Sequence, residues 1–377
     1  MSKPCIMLAA GGTGGHLFPA FALSEELGRR GYDVDLITDM RGDRYGMGFP
    51  AREVHRVPAA TLVGRTPWAV ARTAWTLLRG IVRSYGVLGR VRPQAVLGFG
   101  GYPTFPPLIA ARLRRIPTAL HEQNAVMGRA NRMLATRVSA VALSFEGTKL
   151  LAPSAANKAH VTGTPVRDAV IDWSARRYQP PKGDGRVALL VFGGSQGARF
   201  FSDTMPDALG RLPAALRARL EVVQQCREED LERVRAAYAA GGIEAELATF
   251  FTNLPERIAS AHLVVARAGA STVTELAVMG RPSILVPLPH ALDNDQLENA
   301  TRLDEAGGGW CIGQADLTPE RLSQELERLF GDPALLARAA EAARACGKPN
   351  AVVLLADLVE ELAALKAQKS NSWPGPA

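Results

Sequence analysis

The sequence has few of the features that mark secreted, metal-binding or membrane-spanning proteins. Its 377 residues include only 4 cysteines, which lie far apart without a Cys-x-x-Cys pair, so neither a zinc site nor a disulfide framework is indicated. No stretch of about 18 residues is both apolar and uncharged, so no membrane-spanning helix is predicted. The apolar run at the N-terminus is too short for a signal peptide. We therefore expect a cytoplasmic globular protein.

Acidic residues are missing from a long part of the N-terminal half. Between His55 and His121 there is no Asp or Glu, whereas ten arginines occur. Residues 1–163 carry 21 Lys and Arg against 9 Asp and Glu, a net charge of +12, whereas the whole chain carries +7. This clustering predicts contact with a polyanion, either nucleic acid or an anionic membrane. A basic face that is only solvated is the alternative.

Short aliphatic runs alternate with helical patterns along the chain. The predicted strands are Cys5–Ala10, Tyr32–Thr38, Ala95–Leu97, Thr118–Leu120 and Ala140–Leu143, followed by Val187–Phe192, Leu220–Gln224, Leu263–Ala266 and Ser283–Val286. Such alternation predicts parallel sheets flanked by helices. Each series opens with a strand, a glycine loop and a helix, so we predict an α/β fold of two Rossmann-like domains that face each other across a cleft.

The predicted domain boundaries follow from this pattern. An N-terminal domain covers 1–163 and a C-terminal domain covers 164–349. The segment 350–365 reads as one long amphipathic helix, which we expect to pack back on the N-terminal domain. Residues 366–377, which end in SNSWPGPA, are expected to be a flexible tail.

Three turns rich in small residues join a strand to a helix. They are Gly11–His16, Gly193–Arg199 and Arg267–Glu275. Backbone N–H groups at such helix N-termini can bind an anion such as a diphosphate. The first turn departs from the dinucleotide fingerprint, because Leu17 stands where the third glycine belongs, and the Walker ending is absent. A dinucleotide-binding oxidoreductase stays an alternative, because Asp39 follows the second strand, where a ribose-binding acid would lie. A purely structural turn is the alternative for the first.

The third turn allows two interpretations. Thr272 and Glu275 fit the S/T-x-x-E capping box, in which both side chains bind backbone N–H groups at the start of a helix. In the second interpretation, Glu275 accepts hydrogen bonds from a ribose diol while the helix N-terminus binds a diphosphate.

Together with four further segments, these turns carry a family resemblance. The further segments are Gly98–Tyr102, His121–Asn124, Gly163–Arg167 and Gln296–Asn299. Their order resembles that of the MurG family of N-acetylglucosaminyltransferases over roughly residues 3–365. The resemblance implies the GT-B fold, with the donor bound mainly by the C-terminal domain and the lipid acceptor by the N-terminal domain.

The resemblance also implies an activity and its partners. The family transfers N-acetylglucosamine with inversion from UDP-GlcNAc to the C4 hydroxyl of MurNAc in undecaprenyl-diphospho-MurNAc-pentapeptide, which converts lipid I into lipid II for peptidoglycan synthesis. We accordingly expect a peripheral protein on the cytoplasmic side of the inner membrane, with no cofactor and no nucleic-acid partner.

The family's donor contacts can be carried over position by position. They fall on Thr13, Gly14, Gly15, Asn124, Arg167, Ser195, Thr252, Ala270, Ser271, Thr272, Val273, Thr274, Glu275 and Gln296. Three positions depart from the family pattern. Thr164 replaces the usual Asn, and Asp295 stands where His or Arg often precedes the glutamine. Thr252 stands where an aliphatic residue is common, but the resemblance implies a uracil contact there through the backbone, so it is still expected.

Inverting transfer needs a base and a means of neutralising the departing diphosphate. His16 is the first candidate base, because a helix N-terminus favours neutral imidazole; a histidine that only holds the loop is the alternative. Glu122 is the second candidate, and the sequence leaves the choice open. No metal is predicted, because the triplets Asp33–Asp35 and Asp293–Asp295 are weak signals. Asp33 and Asp35 alternate with apolar residues along a strand and are expected to be solvent-exposed.

The segment Trp68–Val91 has the pattern of an interfacial helix. At 100° per residue, one face collects Trp68, Trp75, Leu78, Val82 and Tyr85, and an arginine stripe about 90° away collects Arg72, Arg79, Arg83 and Arg90. This pattern predicts docking to anionic lipids, with Trp75, Arg79 and Arg83 at the docking face. A core helix with solvated arginines is the alternative.

Overall fold

The protein consists of two compact α/β units. The computed structural model describes residues 3–11, 13–39, 48–60, 66–194 and 199–371. The N-terminal unit comprises the chain up to Arg167 together with the segment from Pro349 onward, and the C-terminal unit runs from Asp168 to Lys348. The division therefore falls after Arg167, a few residues beyond the boundary predicted from the sequence.

The N-terminal unit is built on a parallel sheet. Its strands are β1 (Cys5–Ala9), β2 (Asp33–Thr38), β3 (Glu53–Arg56), β4 (Ala95–Gly98), β5 (Thr118–Glu122), β6 (Ala140–Leu143) and β7 (Ala159–Val161). The strand order is β3-β2-β1-β4-β5-β6-β7. The helices between them are α1 (Gly14–Arg29), α2 (Pro67–Val91), α3 (Phe105–Leu113) and α4 (Arg129–Ala135). Both faces of β1 are buried, with Ile6 and Leu8 on one side and Met7 on the other, as expected when helices cover both faces of a sheet.

The C-terminal unit repeats this architecture. Its strands are β8 (Val187–Phe192), β9 (Leu220–Gln225), β10 (Ala245–Ala248), β11 (Leu263–Ala266), β12 (Ser283–Leu285) and β13 (Gly309–Cys311). They form a second parallel sheet in the order β10-β9-β8-β11-β12-β13. Its helices are α5 (Asp168–Ser174), α6 (Arg199–Gly210), α7 (Ala214–Arg217), α8 (Leu231–Ala240), α9 (Leu254–Ser260), α10 (Ala270–Met279), α11 (Asp295–Glu305), α12 (Pro319–Gly331) and α13 (Pro333–Cys346). Two parallel-sheet α/β domains are thus confirmed.

The last helix, α14 (Ala351–Asn371), belongs to the N-terminal unit. Leu355, Val359 and Leu362 are buried in the same core cluster as residues of α1 and β1. Arg30 at the end of α1 binds Asp357 and Glu360, each at 2.6 Å. The helix continues beyond the end predicted at residue 365, and residues 372–377 of the predicted tail lie outside the described residues.

The expectation that Asp33 and Asp35 are solvent-exposed is wrong for Asp35. Asp35 is fully buried. Its carboxylate accepts hydrogen bonds from Arg52 Nε at 2.9 Å and Nη2 at 3.0 Å, and its Oδ2 lies 3.0 Å from His55 Nε2. Because β2 is an inner strand with both faces covered, the Asp35 side chain points into the protein interior. A buried charge is costly unless it is paired, so Asp35 requires these partners.

Candidate active site

The first glycine turn leads into α1 without a side-chain cap. Thr13 is the N-cap residue, and its hydroxyl makes no capping hydrogen bond within the described residues. A Cβ added to Gly14 would approach Cε2 of Phe18 to 3.1 Å, whereas one added to Gly15 would meet nothing within 4 Å. A side chain at 14 would therefore press against the Phe18 ring, and among the described residues there is space beside Gly15 at the start of the helix. Gly12 lies outside the described residues.

His16 lies at the start of α1 and contacts the turn after β4. A Cβ added to Gly100 would lie 3.2 Å from His16 Cε1, and both Gly100 and Gly101 have positive φ angles, 90° and 72°. The imidazole therefore packs against bare backbone that only glycine supplies without strain. Its Nδ1 lies 3.2 Å from Oε1 of Gln123.

Glu122 is buried at the end of β5, and its carboxylate is occupied by structural donors. Oε1 accepts from the backbone N–H of Asn124 at 3.0 Å and from its side-chain amide at 3.2 Å. Oε2 accepts from the backbone N–H of Gly128 and from Nδ2 of Asn131, each at 2.8 Å. Burial raises the pKa of Glu122 despite these donors. The carboxylate closes the loop between β5 and α4, and it holds Asn124 in place.

Thr164, which departs from the family pattern, is buried in the same region. Its hydroxyl lies 2.5 Å from Oγ of Ser144, which donates to the backbone carbonyl of Glu122 at 2.8 Å. Because the Ser144 hydroxyl has one hydrogen and donates it to that carbonyl, the Thr164 hydroxyl is the donor in its hydrogen bond with Ser144. The threonine therefore supports the end of β5. Three residues later, the guanidinium carbon of Arg167 lies 4.3 Å from the centre of the Phe18 ring.

The N-terminus of α10 excludes the capping-box interpretation. The helix begins at Ala270 with Gly269 as N-cap, so Thr272 is the third helical residue and cannot be the cap. The backbone N–H groups of the first turn have no acceptor inside the helix. The buried hydroxyl of Ser271 has no partner among the described residues, and Glu275 is buried one turn further along. Ala270, Val273 and Thr274 complete this turn.

Gln225 connects two loops of the C-terminal unit. Its Oε1 accepts from the backbone N–H of Gly193 at 3.2 Å, and its Nε2 donates to the carbonyl of Thr249 at 3.1 Å. The first loop continues into Ser195, which lies outside the described residues. The second leads to Thr252, which is exposed in the turn before α9. One buried amide thus fixes the spacing of the two loops.

The loop after β12 is held by Arg267 and Gln296. Arg267 donates to the carbonyls of Val286 and Pro287 at 3.1 and 3.2 Å, and burial lowers its pKa to about 10. Gln296 accepts from the backbone N–H of Leu288 at 3.0 Å. Because this bond uses the side-chain oxygen, the amide nitrogen of Gln296 is the group that can donate to a ligand.

The outer face of α2 is apolar and solvent-exposed. Large side chains on it are exposed by 80% at Trp68, 62% at Trp75 and 65% at Val82, whereas the inner face buries Gly80, Ser84, Val87 and Leu88. Arg72, Arg79, Arg83 and Arg90 are exposed as well. The apolar stripe therefore does not pack against the core, contrary to the core-helix alternative. Within the described residues, no helix combines the length and apolar character needed to span a membrane.

The structure groups the predicted residues by unit. Thr13, Gly14, Gly15, His16, Glu122, Asn124 and Arg167 belong to the N-terminal unit, and Thr252, Ala270 to Glu275 and Gln296 belong to the C-terminal unit. Phe18, Gln123 and Gln225 were missed by the sequence reasoning. Gln123 lies inside the segment His121–Asn124, which carries the family resemblance, so the sequence could have indicated it. No sequence motif indicated Phe18 or Gln225.

Comparison with known proteins gives consistent matches over both units. Residues 6–143 match the model of the glycosyltransferase family 28 N-terminal domain, and residues 188–355 match that of the family 28 C-terminal domain. The chain is 54% identical to the UDP-N-acetylglucosamine--N-acetylmuramyl-(pentapeptide) pyrophosphoryl-undecaprenol N-acetylglucosamine transferase of Rhodopseudomonas palustris, covering 96% of this chain and 98% of that one. It is 52% identical to the transferase of the same name from a Chelativorans species, covering 96% of each chain.

Solved structures agree with these matches. The crystal structure of Acinetobacter baumannii MurG superposes with a TM-score of 0.77 at 29% identity, covering 95% of this chain and all of that one. A UDP-GlcNAc 2-epimerase from Neisseria meningitidis, bound to UDP-GlcNAc, superposes with a TM-score of 0.66 at 15% identity over 96% of this chain and all of that one. The second likeness shows a shared fold alone.

Proposed function

The chain belongs to glycosyltransferase family 28, and from this premise we propose that it transfers N-acetylglucosamine from UDP-GlcNAc to the C4 hydroxyl of MurNAc in undecaprenyl-diphospho-MurNAc-pentapeptide. The reaction converts lipid I into lipid II for peptidoglycan synthesis. The observation that carries the proposal is 54% identity over nearly the whole chain to a transferase named for this reaction. The resemblance to the MurG family is thereby confirmed.

The C-terminal unit supplies the donor site. The uncapped N-terminus of α10 offers backbone N–H groups and a buried Ser271 hydroxyl to the diphosphate. Glu275 accepts hydrogen bonds from the ribose diol, and the backbone at Thr252 binds the uracil. Gln225 supports this arrangement because it spaces the loops that lead to Ser195 and Thr252.

His16 is the base and Glu122 positions the loop beside it. Among the described residues, the four hydrogen bonds to the Glu122 carboxylate come from Asn124, Gly128 and Asn131, and each ties down the loop itself. The oxygen of the acceptor hydroxyl attacks C1 of N-acetylglucosamine from the face opposite the diphosphate. The bond between C1 and the diphosphate oxygen breaks with its electron pair on UDP, and the hydroxyl proton passes to His16.

The departing diphosphate is stabilised without a resident metal. Helix N-termini carry partial positive charge, and fixed dipoles aimed at a developing charge are an effective form of transition-state stabilisation. Arg167 adds a full charge, and Phe18 restrains its position.

The enzyme reaches its lipid acceptor by docking on the cytoplasmic side of the inner membrane. Burial of each methylene stabilises a polyprenyl chain in the bilayer by about 0.8 kcal/mol, so the acceptor stays there. The exposed apolar face of α2 can insert among the headgroups, and each arginine beside it adds about 1 kcal/mol on an anionic surface. Trp75, Arg79 and Arg83 lie at this docking face.

A transfer assay with radiolabelled UDP-GlcNAc and a short-chain lipid I analogue tests the proposed function. We expect label to move to the acceptor, with release of UDP. An epimerase would instead change the labelled sugar nucleotide in the absence of acceptor. That product, without acceptor labelling, would overturn the proposal.

A further inference from the structure

The amide of Gln123 lies between two histidines at the end of β5. Its Nε2 is 2.9 Å from the backbone carbonyl of Phe99 and 2.9 Å from Nδ1 of His121. Its Oε1 is 3.2 Å from Nδ1 of His16. His121 is fully buried, and its Nε2 is 2.8 Å from the carbonyl of Gly163.

The backbone carbonyls of Phe99 and Gly163 determine the position of each proton in this series of hydrogen bonds. A carbonyl only accepts hydrogen bonds, so the Gln123 atom facing Phe99 is the amide nitrogen, and its oxygen faces His16. His121 carries its proton on Nε2, because that nitrogen faces the Gly163 carbonyl. Its Nδ1 then accepts from Gln123, as a neutral ring must, and burial lowers the pKa of His121 to about 4.

We propose that Gln123 is a positioning residue, which holds His16 in the tautomer that has its proton on Nδ1 and its lone pair on Nε2. The Gln123 oxygen has no proton to give, so His16 Nδ1 must be the donor in this hydrogen bond. When Nε2 takes the acceptor proton, the imidazolium keeps its bond to Gln123 through Nδ1. This inference rests on the proposed role of His16 as base, and it names the group that prepares it.

The hydrogen bonds of the Gln123 amide to Phe99 and His121 explain why its orientation toward His16 is fixed. A side-chain amide can rotate by half a turn, which would present its nitrogen to His16 and reverse the tautomer. Here that rotation would place the oxygen against the carbonyl of Phe99 and leave His121 Nδ1 without a donor. Because these groups are buried, an unpaired acceptor costs about 1–3 kcal/mol, and the rotated state is suppressed.

The test is nitrogen-15 NMR of the His16 ring in the full-length protein, with signals assigned by their loss in His16→Asn. We expect a protonated Nδ1 and an unprotonated Nε2 in the unaltered protein. Gln123→Met should abolish this preference and lower kcat by up to roughly 10²–10⁴-fold, the range of general acid–base catalysis, with UDP affinity little changed. Gln224→Met removes a matched buried glutamine of the C-terminal unit and should leave the His16 signals unchanged.

A proton on Nε2 in the unaltered protein would overturn the inference, as would an unchanged tautomer in Gln123→Met. If Gln123→Met does not fold, the tautomer of His16 in the unaltered protein decides the question. The NMR result is independent of turnover. If the protein transfers the sugar but His16 holds the other tautomer, the proposed function stands and this inference fails. If His16 holds the expected tautomer but no sugar is transferred, this inference stands and the proposed function fails.

Discussion

The guanidinium carbon of Arg167 lies 4.3 Å from the centre of the Phe18 ring, on the helix that follows the first glycine turn. The same ring packs at Gly14, where an added Cβ would be 3.1 Å from it. One aromatic side chain therefore links the glycine turn to the cation that we assign to the departing diphosphate.

Phe18→Leu should loosen Arg167 and raise the KM for UDP-GlcNAc. A cation–π contact contributes about 0.5–1 kcal/mol at partly exposed sites, which corresponds to roughly a two- to five-fold change. Phe21→Leu is the matched control, because Phe21 lies on the same helix but packs edge-on against Phe49. Steady-state kinetics with the short-chain acceptor measures both. Equal effects of the two changes would mean that Phe18 only stabilises the helix.

Glu275→Gln should weaken UDP binding by roughly ten- to hundred-fold, because a hydrogen bond to a charged group contributes about 1.5–3 kcal/mol. The helix begins at Ala270 with Gly269 as its cap, so the change removes no helix cap. Calorimetry measures the affinity, with Glu341→Gln on an exposed position of the same unit as control. A well-folded Glu275→Gln protein with unchanged affinity would remove Glu275 from the donor site.

Chelation should leave UDP affinity unchanged. The diphosphate is assigned to helix N-termini and Arg167, which need no divalent ion. Calorimetry with and without excess chelator makes the comparison. A loss of about an order of magnitude or more would bring Asp293 and Asp295 into the donor site.

The buried imidazole of His121 should make the N-terminal unit sensitive to acid. Burial lowers the pKa of His121 to about 4 from an ordinary value of 6.5. As the pH falls below 6.5, His121 binds a proton in the unfolded chain, whereas in the folded chain it stays neutral down to about pH 4. Stability is therefore complete above that window and falls by about 3 kcal/mol across it. Melting temperatures at pH 7 and pH 5 should differ less in His121→Met than in the unaltered protein. His160→Gln, at an exposed position, should behave like the unaltered protein, and a parallel shift in all three would contradict the assignment.

The sequence predicted the inner strands of both sheets and missed all four edge strands. The missed strands are β3, β7, β10 and β13, which lie at the edges of the two sheets. Inner strands of a parallel sheet are buried on both faces and read as continuous apolar runs. An edge strand such as β3, with sequence EVHR, is exposed at three of its four positions and lacks that run.

The candidate site was predicted where a motif encodes it and missed where folding creates it. The three turns could be recognised because a strand, small residues and a helix follow each other locally. Gln225 acts by spacing Gly193 and Thr249, which only the arrangement of strands brings together. Glu122 was predicted as a rival base from its residue type, and the donors that occupy its oxygens were not visible in the sequence.

The docking face of α2 leads to the last prediction. Its exposed tryptophans and its arginines lie side by side, and no acidic residue occurs between His55 and His121 to oppose an anionic surface. Changing Arg72, Arg79 and Arg83 to Glu reverses the charge beside the apolar stripe without altering the buried face of α2. The triple variant should lose binding to anionic vesicles and transfer to vesicle-embedded acceptor. It should keep UDP affinity and transfer to the soluble acceptor, because those steps need no membrane.

The control for this change is a second charge reversal, at Arg227, Arg235 and Arg338, which are exposed on the C-terminal unit. It alters the net charge equally, so a loss of vesicle binding confined to the α2 variant assigns docking to this face and not to total charge. Raised salt should weaken vesicle binding of the unaltered protein, because exposed charges are screened beyond about 10 Å at 0.1 M. Trp75→Ala should weaken binding at high salt as well, since apolar insertion is not screened. If the α2 variant still sediments with anionic vesicles at low salt, the arginine stripe is only a solvated helix face.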